Sequence, residues 1–459
     1  MPNNLPMKKT RSMLALLLLA SFASNAHAND SQRIDRYIAD YSKTYVQLGL
    51  GGEMDLSYQK QINNLLQSKN LPQQTRFFNR LKAQGAALKK ISRSTLTQRS
   101  AISCQALQLQ QIDFEIDFHQ EKLALIKRYQ ALGKKALISE QGLAHSTLGK
   151  AWYALLSKAW LTTDTQPAQL MAMGQSELQR AQERYRSLQA KMGYAGRDAE
   201  FATYLNSSAF QYPEGSTPQA DYEQRQAIVD QHLPKLFFAN KIQAPQIKAS
   251  PLGAALPVDG YYEPEEKTFY FNRSKAHYQR RDIDWLLLHE STPGHHYQSR
   301  YAIELAACTQ ALPHGFYSAY AEGWGAYVEE FGKELGLFQQ DADELGAVEW
   351  DLVRSIRVIL DVGINYYDWR EQEAKDFWQT QLPMLPHLAE REIKRVRNWP
   401  AQAITYKLGA VKFRQLRAAE QQRLGSRFDL RQFHHSLLKF GPLPLTMLGQ
   451  VLERKTQDD

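Results

Sequence analysis

Six helix breakers, Pro245, Pro251, Gly253, Pro257, Gly260 and Pro264, fall within residues 245–264. Proline lacks an N–H and clashes with the preceding turn, and glycine loses extra entropy in a helix, so no helix survives such a stretch. Between and after the breakers, Ile247-Lys248-Ala249 and Thr268-Phe269-Tyr270-Phe271-Asn272 read as short strands. Elsewhere the pattern is helical. Ile34, Tyr37, Ile38, Tyr41, Tyr45 and Leu48 recur at three- and four-residue steps. Residues 166–191 open on Gln166-Pro167 and stop before Gly193, as a bounded helix does. Residues 105–132 alternate at Ile112, Phe114, Ile116 and Phe118, but their Gln, Glu, Lys and Leu content favours helix. Further helices are expected at 220–232, 282–292, 296–310, 316–335, 340–360, 370–380, 386–397, 402–424 and 429–438. The expected fold class is mostly α, with one small antiparallel β-sheet.

Lys8, Lys9 and Arg11 precede an apolar run from Met13 to Ala20, and Ala26-His27-Ala28 is a small-x-small cleavage site. That is the pattern of a secretory signal peptide over residues 1–28, with a run too short to span a bilayer. Residues 29–459 then read as one mostly helical domain, with a helical lobe at 29–145 and a catalytic region at 146–459. The chain holds 56 basic and 48 acidic residues, a net charge of +8. The leader carries three of the basic residues and no acidic one, which leaves 53 against 48, or +5. The remaining charges are interspersed, so a nucleic-acid footprint is excluded. No cysteine near the cleavage site offers a lipid attachment point, and no later stretch is long and apolar enough for a membrane span. An exported, periplasmic protein without stable membrane insertion is expected. Cys104 and Cys308 both lie in helical, mostly apolar contexts and are expected as free buried thiols, although export permits a disulfide.

The chemistry concentrates just after the sheet, in Leu286-Leu287-Leu288-His289-Glu290-Ser291-Thr292-Pro293-Gly294-His295-His296. An apolar run delivers a His-Glu pair, as in zinc peptidases, where two histidines bind zinc and the Glu is general base. The spacing does not suit a regular helix. His289 and His296 would be separated by roughly 10.5 Å of rise. Pro293-Gly294 can bulge the chain and bring a histidine back beside His289. His295, directly after the glycine, is preferred as second ligand, with His296 the alternative; otherwise His296 meets substrate or supports the ligands. The competing structural reading makes Pro293-Gly294 a helix end and the histidines capping groups.

A catalytic zinc needs a third side chain and an open position. Glu322 lies among apolar and small residues in Tyr320-Ala321-Glu322-Gly323-Trp324, where an unpaired carboxylate is costly unless a metal or an arginine neutralises it. Glu329 and Glu330 read as surface or supporting carboxylates. Glu290 would take a proton from zinc-activated water, and Tyr406 is a candidate donor to the oxyanion. Arg395 or Arg397 could pair with a substrate carboxylate.

The chain resembles the bacterial domain-of-unknown-function 885 family, over roughly 145–455. The resemblance rests on His289-Glu290-x-x-Pro293-Gly294-His295-His296-x-Gln298 and Glu322-Gly323-Trp324-x-x-Tyr327, which together are specific. Weaker blocks are Arg357-x-x-x-Asp361-x-Gly363, Pro400-x-Gln402-Ala403-x-x-Tyr406-x-x-Gly409, Phe428-Asp429-Leu430-Arg431-x-Phe433-His434, and Tyr261-Tyr262. The family is similar to helical zincins of the thimet-oligopeptidase and Taq-carboxypeptidase type. The resemblance implies a helical zincin-like fold with a deep channel, ligands His289, His295 or His296, and Glu322, and Glu290 as base. It also implies transition-state and substrate contacts from Tyr406 and Arg395, and directs attention to Tyr262, His296 and Asn365 as substrate-binding residues. Two positions depart from the pattern: Asn365 stands where the family has His, and Ala401 where it has Gly. The expected function is a zinc-dependent peptidase acting on short peptides. The alternatives are a zinc amidase acting on cell-wall or N-acyl amino-acid amides, and an inactive peptide-binding relative.

Overall fold

The computed structural model describes residues 30–50, 58–67, 70–96, 104–133, 137–213, 216–253, 258–272, 279–305 and 317–453. The leader, its cleavage site and Cys308 lie outside them. Helix α1 spans 30–47. It is followed by α2 (Tyr58–Gln67), α3 (Leu71–Leu96), α4 (Cys104–Leu132), α5 (Gly149–Leu161), α6 (Pro167–Lys191), α7 (Asp198–Leu205) and α8 (Gln219–His232). After the sheet come α9 (Ile283–Glu290), α10 (His295–Glu304), α11 (Ser318–Val328), α12 (Asp341–Asn365), α13 (Glu371–Gln381) and α14 (Ala389–Asn398). The chain closes with α15 (Thr405–Leu424), α16 (Leu430–Leu438) and α17 (Leu448–Glu453). Among the described residues no helix is long and apolar enough to cross a membrane.

The sheet is mixed, which corrects the antiparallel expectation. Strands β1 (Gln246–Ala249), β2 (Gly260–Glu263) and β3 (Thr268–Phe271) lie in the order β1-β3-β2. The two strands legible in the sequence, β1 and β3, pair in parallel, with Ile247 opposite Phe269. The segment between them is long enough for a crossover, and it contributes β2, which returns antiparallel to β3 through a turn at 264–267. All four residues of β3 are buried, as suits a central strand.

One buried apolar cluster runs from Ile34 in α1 to Leu452 in α17 and takes in the sheet, α9 and α11. A second gathers α6, α7, α12, α13 and α14. Two helices set the frame of the site. All eight residues of α9 are buried, Asp284, His289 and Glu290 included, so it has no solvent-facing side and is fixed by packing all round. Helix α12 is buried along most of its length and begins with a capping box in which Gln340 N–H donates to Asp343 at 3.0 Å. Cys104, at the start of α4, is disulfide-bonded, which overturns the expectation of a free thiol there.

Candidate metal centre

Helix α9 stops at Glu290, and Ser291–Gly294 turns the chain before α10 begins at His295. The turn lies tight against the end of α9. A Cβ on Gly294 would sit 1.9 Å from the His289 carbonyl oxygen, so only glycine fits. The indole N–H of Trp324, on α11, donates to the Pro293 carbonyl at 2.8 Å and pins the turn from the opposite side. One block thus serves twice: Glu322 faces the histidines, as expected, and Trp324 holds the bend that presents them.

The result is a trio. Ligand atoms of His289, His295 and Glu322 all lie within 4.8 Å of one another. Both His289 Nε2 and His295 Nε2 are 3.3 Å from Glu322 Oε2. His289 donates through Nδ1 to Glu329 Oε1 at 2.7 Å, and Glu329 is in turn held by Arg354. That turns His289 Nε2 toward Glu322 and His295, the usual device for orienting a metal-binding imidazole. A Cβ on Gly325 would come within 2.6 Å of the His289 ring, so the helix that supplies Glu322 also fixes the ring's place. Burial raises the Glu322 carboxyl, but hydrogen bonds from His289 and His295 outweigh it and hold the group well below the ordinary carboxylate range. Burial depresses the His289 imidazolium, yet Glu322 and Glu329 together push it up to about 9. Such mutual stabilisation of charge marks a donor set suited to a cation. Two imidazoles and one carboxylate, with a side open to a cavity, match the ligands of catalytic zinc sites.

Glu290 is 7% exposed and borders the same cavity. Burial raises its pKa, partly offset by the charges of His295 and His289. Tyr406, in the first turn of α15, stacks its ring on His289 at 6.0 Å and accepts a hydrogen bond from Arg395 at 3.2 Å. The cavity has a volume of about 760 Å³, within the range of small-ligand sites. Tyr262, Trp285, Trp350, Arg354, Arg357 and Arg395 line it together with the trio.

Three expected site residues lie elsewhere. His296 is 1% exposed, and its ring nitrogens face the Gln243 carbonyl at 2.7 Å and the Tyr262 hydroxyl at 3.1 Å. Burial holds its pKa down to about 4, so it remains neutral and braces Tyr262 instead of joining the trio. Asn365 accepts from Leu143 N–H at 3.1 Å and donates to the Val396 carbonyl at 2.9 Å, a buried strut away from the cavity lining. Arg397 pairs with Glu371 at 2.9 Å and does not line the cavity. The sequence reading missed Arg354, Trp285, Trp350, Arg391 and Lys394. One signal was available: Arg354, Arg357 and Asp361 interrupt an otherwise apolar run at helical spacing.

Fold and site together define a mostly helical protein with a candidate His-His-Glu metal centre beside a cavity. The chain belongs to the family described as "Bacterial protein of unknown function (DUF885)", whose model matches residues 57–452. A candidate lipoprotein from Colwellia psychrerythraea is 23% identical with a TM-score of 0.63, covering 77% of this chain and 62% of its own. The chain therefore spans less than two thirds of that relative's length. A candidate lipoprotein of unknown function from Shewanella oneidensis is 16% identical with a TM-score of 0.50, covering 98% of this chain and 94% of its own. Both are similar in fold. No curated protein matches the sequence.

Proposed function

We propose that this protein is an exported, metal-dependent hydrolase that cleaves amide bonds in short peptides. The observation that carries the reading is the convergence of His289, His295 and Glu322 beside the buried Glu290, at the edge of one cavity. His289, His295 and Glu322 would hold the ion. A bound zinc would supply Lewis acidity and lower the pKa of water toward neutrality.

The remaining roles belong to the chain. Glu290, with its pKa raised by burial, takes the proton of the attacking water and returns it to the leaving nitrogen. Glu329 fixes the His289 tautomer, and the Arg354 guanidinium holds Glu329 in place. Arg395 donates to the Tyr406 oxygen, so the phenol's own proton stays free to meet the negative charge that develops on the carbonyl oxygen. The size of the cavity favours a short peptide over a folded protein as substrate. Export rests on the leader pattern of residues 1–28.

The test is metal analysis with peptide digestion, on wild type and Glu290→Gln. One zinc per chain is expected in both, with hydrolysis lower in the variant by about 10²–10⁴-fold. Absence of bound metal from both proteins overturns the reading.

A further inference from the structure

Helix α14 places Arg391, Lys394, Arg395 and Asn398 at the i, i+3, i+4 and i+7 spacing of one helix face, and all four line the cavity. Arg354 and Arg357 of α12 join them. Five cations on this wall meet two carboxylates. Glu392 takes Arg357 at 2.6 Å and Arg391 at 2.9 Å, and Glu329 takes Arg354. Among the described residues, Arg395 and Lys394 of this wall form no direct ion pair, and Lys394 and Arg391 are exposed at its rim. Of the other acidic residues of the lining, Glu290 and Glu322 belong to the metal pole, with Glu322 near enough to act on Arg395, and Asp259 lies beside the sheet.

Arg395 is the sharpest case. Through one terminal nitrogen it donates to Gln402 at 2.9 Å and to Tyr406 at 3.2 Å, and its Nε is buried without a partner. It pairs with no carboxylate among the described residues, and neither does Lys394. Arg395 is only partly buried, and Glu392 and Glu322 act on it without a direct ion pair, so its guanidinium stays available for a charge-assisted hydrogen bond to a ligand carboxylate. The wall is also stiff. Trp285 and Trp350 lie 4.8 Å apart, with the guanidinium groups of Arg357 and Arg391 over Trp350 at 5.5 and 5.9 Å.

Tyr406 links the wall to the metal pole, its ring on His289 and its oxygen on Arg395. An amide whose carbonyl sits at the pole therefore directs the carboxylate of the following residue toward Arg395. A second carboxylate, on that residue's side chain, meets Lys394 and Arg391 along the same helix face. We propose that the substrate is a peptide with a free C-terminus whose last residue is acidic, Asp or Glu. The location of the scissile bond rests on the hydrolase reading; the two-carboxylate site does not.

The test is calorimetric titration of zinc-loaded Glu290→Gln protein with N-acetyl-alanyl-glutamate, N-acetyl-alanyl-leucine and the α-amide of the glutamate peptide. The glutamate peptide is expected to bind about 10-fold more tightly than the leucine peptide and about 100-fold more tightly than the amide. Lys394→Gln should close the first gap and Arg395→Gln the second. Equal affinity for the glutamate and leucine peptides, or no binding of any peptide, overturns the proposal, and that comparison needs no variant of the basic wall. If the predicted order holds but wild-type protein hydrolyses none of the peptides, the hydrolase reading falls and the carboxylate site stands.

Discussion

His289 is positioned from three sides: Glu329 holds its Nδ1, Gly325 leaves room for its ring, and Tyr406 stacks against it. Glu329→Gln keeps a hydrogen-bonding group but removes the charge that raises the imidazole's basicity. Metal affinity, measured by competition with a chelator, should fall about 10–100-fold. Gly325→Ala puts a methyl group into the ring's space and should weaken metal binding by at least about 10-fold; unchanged affinity would show that the ring is not held there. His296→Ala should leave the metal content at one per chain, because that ring is spent on Gln243 and Tyr262. Residue type and local context made His289, Glu290 and Glu322 legible in the sequence. The choice between His295 and His296 was not, because it depends on how sharply Ser291–Gly294 turns, and that is set by Trp324 far along the chain.

Helix α12 organises the rest through a polar stripe on a buried helix. Arg354 supports Glu329, Arg357 holds Glu392 of α14, and Asn365 ties Val396 of α14 to Leu143. Both carboxylate oxygens of Asp361 accept from Ala401 N–H at 3.0 Å, and burial lifts the Asp361 pKa to about 8. Ala401 is fully buried with φ of 66°, a left-handed conformation, just before the helix that presents Tyr406. That explains why glycine suits the position. Ala401→Gly should change stability by less than about 1 kcal/mol, because relief of the left-handed conformation offsets the entropy glycine adds to the unfolded chain. Ala401→Val, β-branched at positive φ, should cost more than about 2 kcal/mol in urea unfolding. Helix positions were readable from periodicity to within a few residues at most ends. The parallel pairing of β1 and β3 was not, because strand direction is decided by the connection and by where β2 inserts.

At the scale of the whole molecule, the net charge of +8 is mild and interspersed along the sequence. The structure instead gathers five basic side chains on one wall of one cavity, two of them without a direct ion pair among the described residues. Folding also commits two buried histidines, His296 and His434, to neutrality. His434 is fully buried between the Leu236 carbonyl at 2.9 Å and the Tyr327 hydroxyl at 3.0 Å, and burial holds its pKa down to about 3. Between the ordinary histidine value and pH 3, the unfolded chain binds a proton that the folded chain refuses. Stability therefore rises with pH across that window, by up to about 1 kcal/mol per pH unit from this group. His434→Gln should flatten the slope of unfolding free energy against pH over that range; an unchanged slope would place the acid sensitivity elsewhere. The central claim is that His289, His295 and Glu322 hold one ion for chemistry begun by Glu290. Its most direct measurement is zinc content with peptide hydrolysis, side by side, for wild type, Glu290→Gln and His295→Ala. The account predicts one zinc per chain in the first two, little in the third, and hydrolysis by wild type alone. Full hydrolysis by Glu290→Gln, or no zinc in wild type, would contradict it.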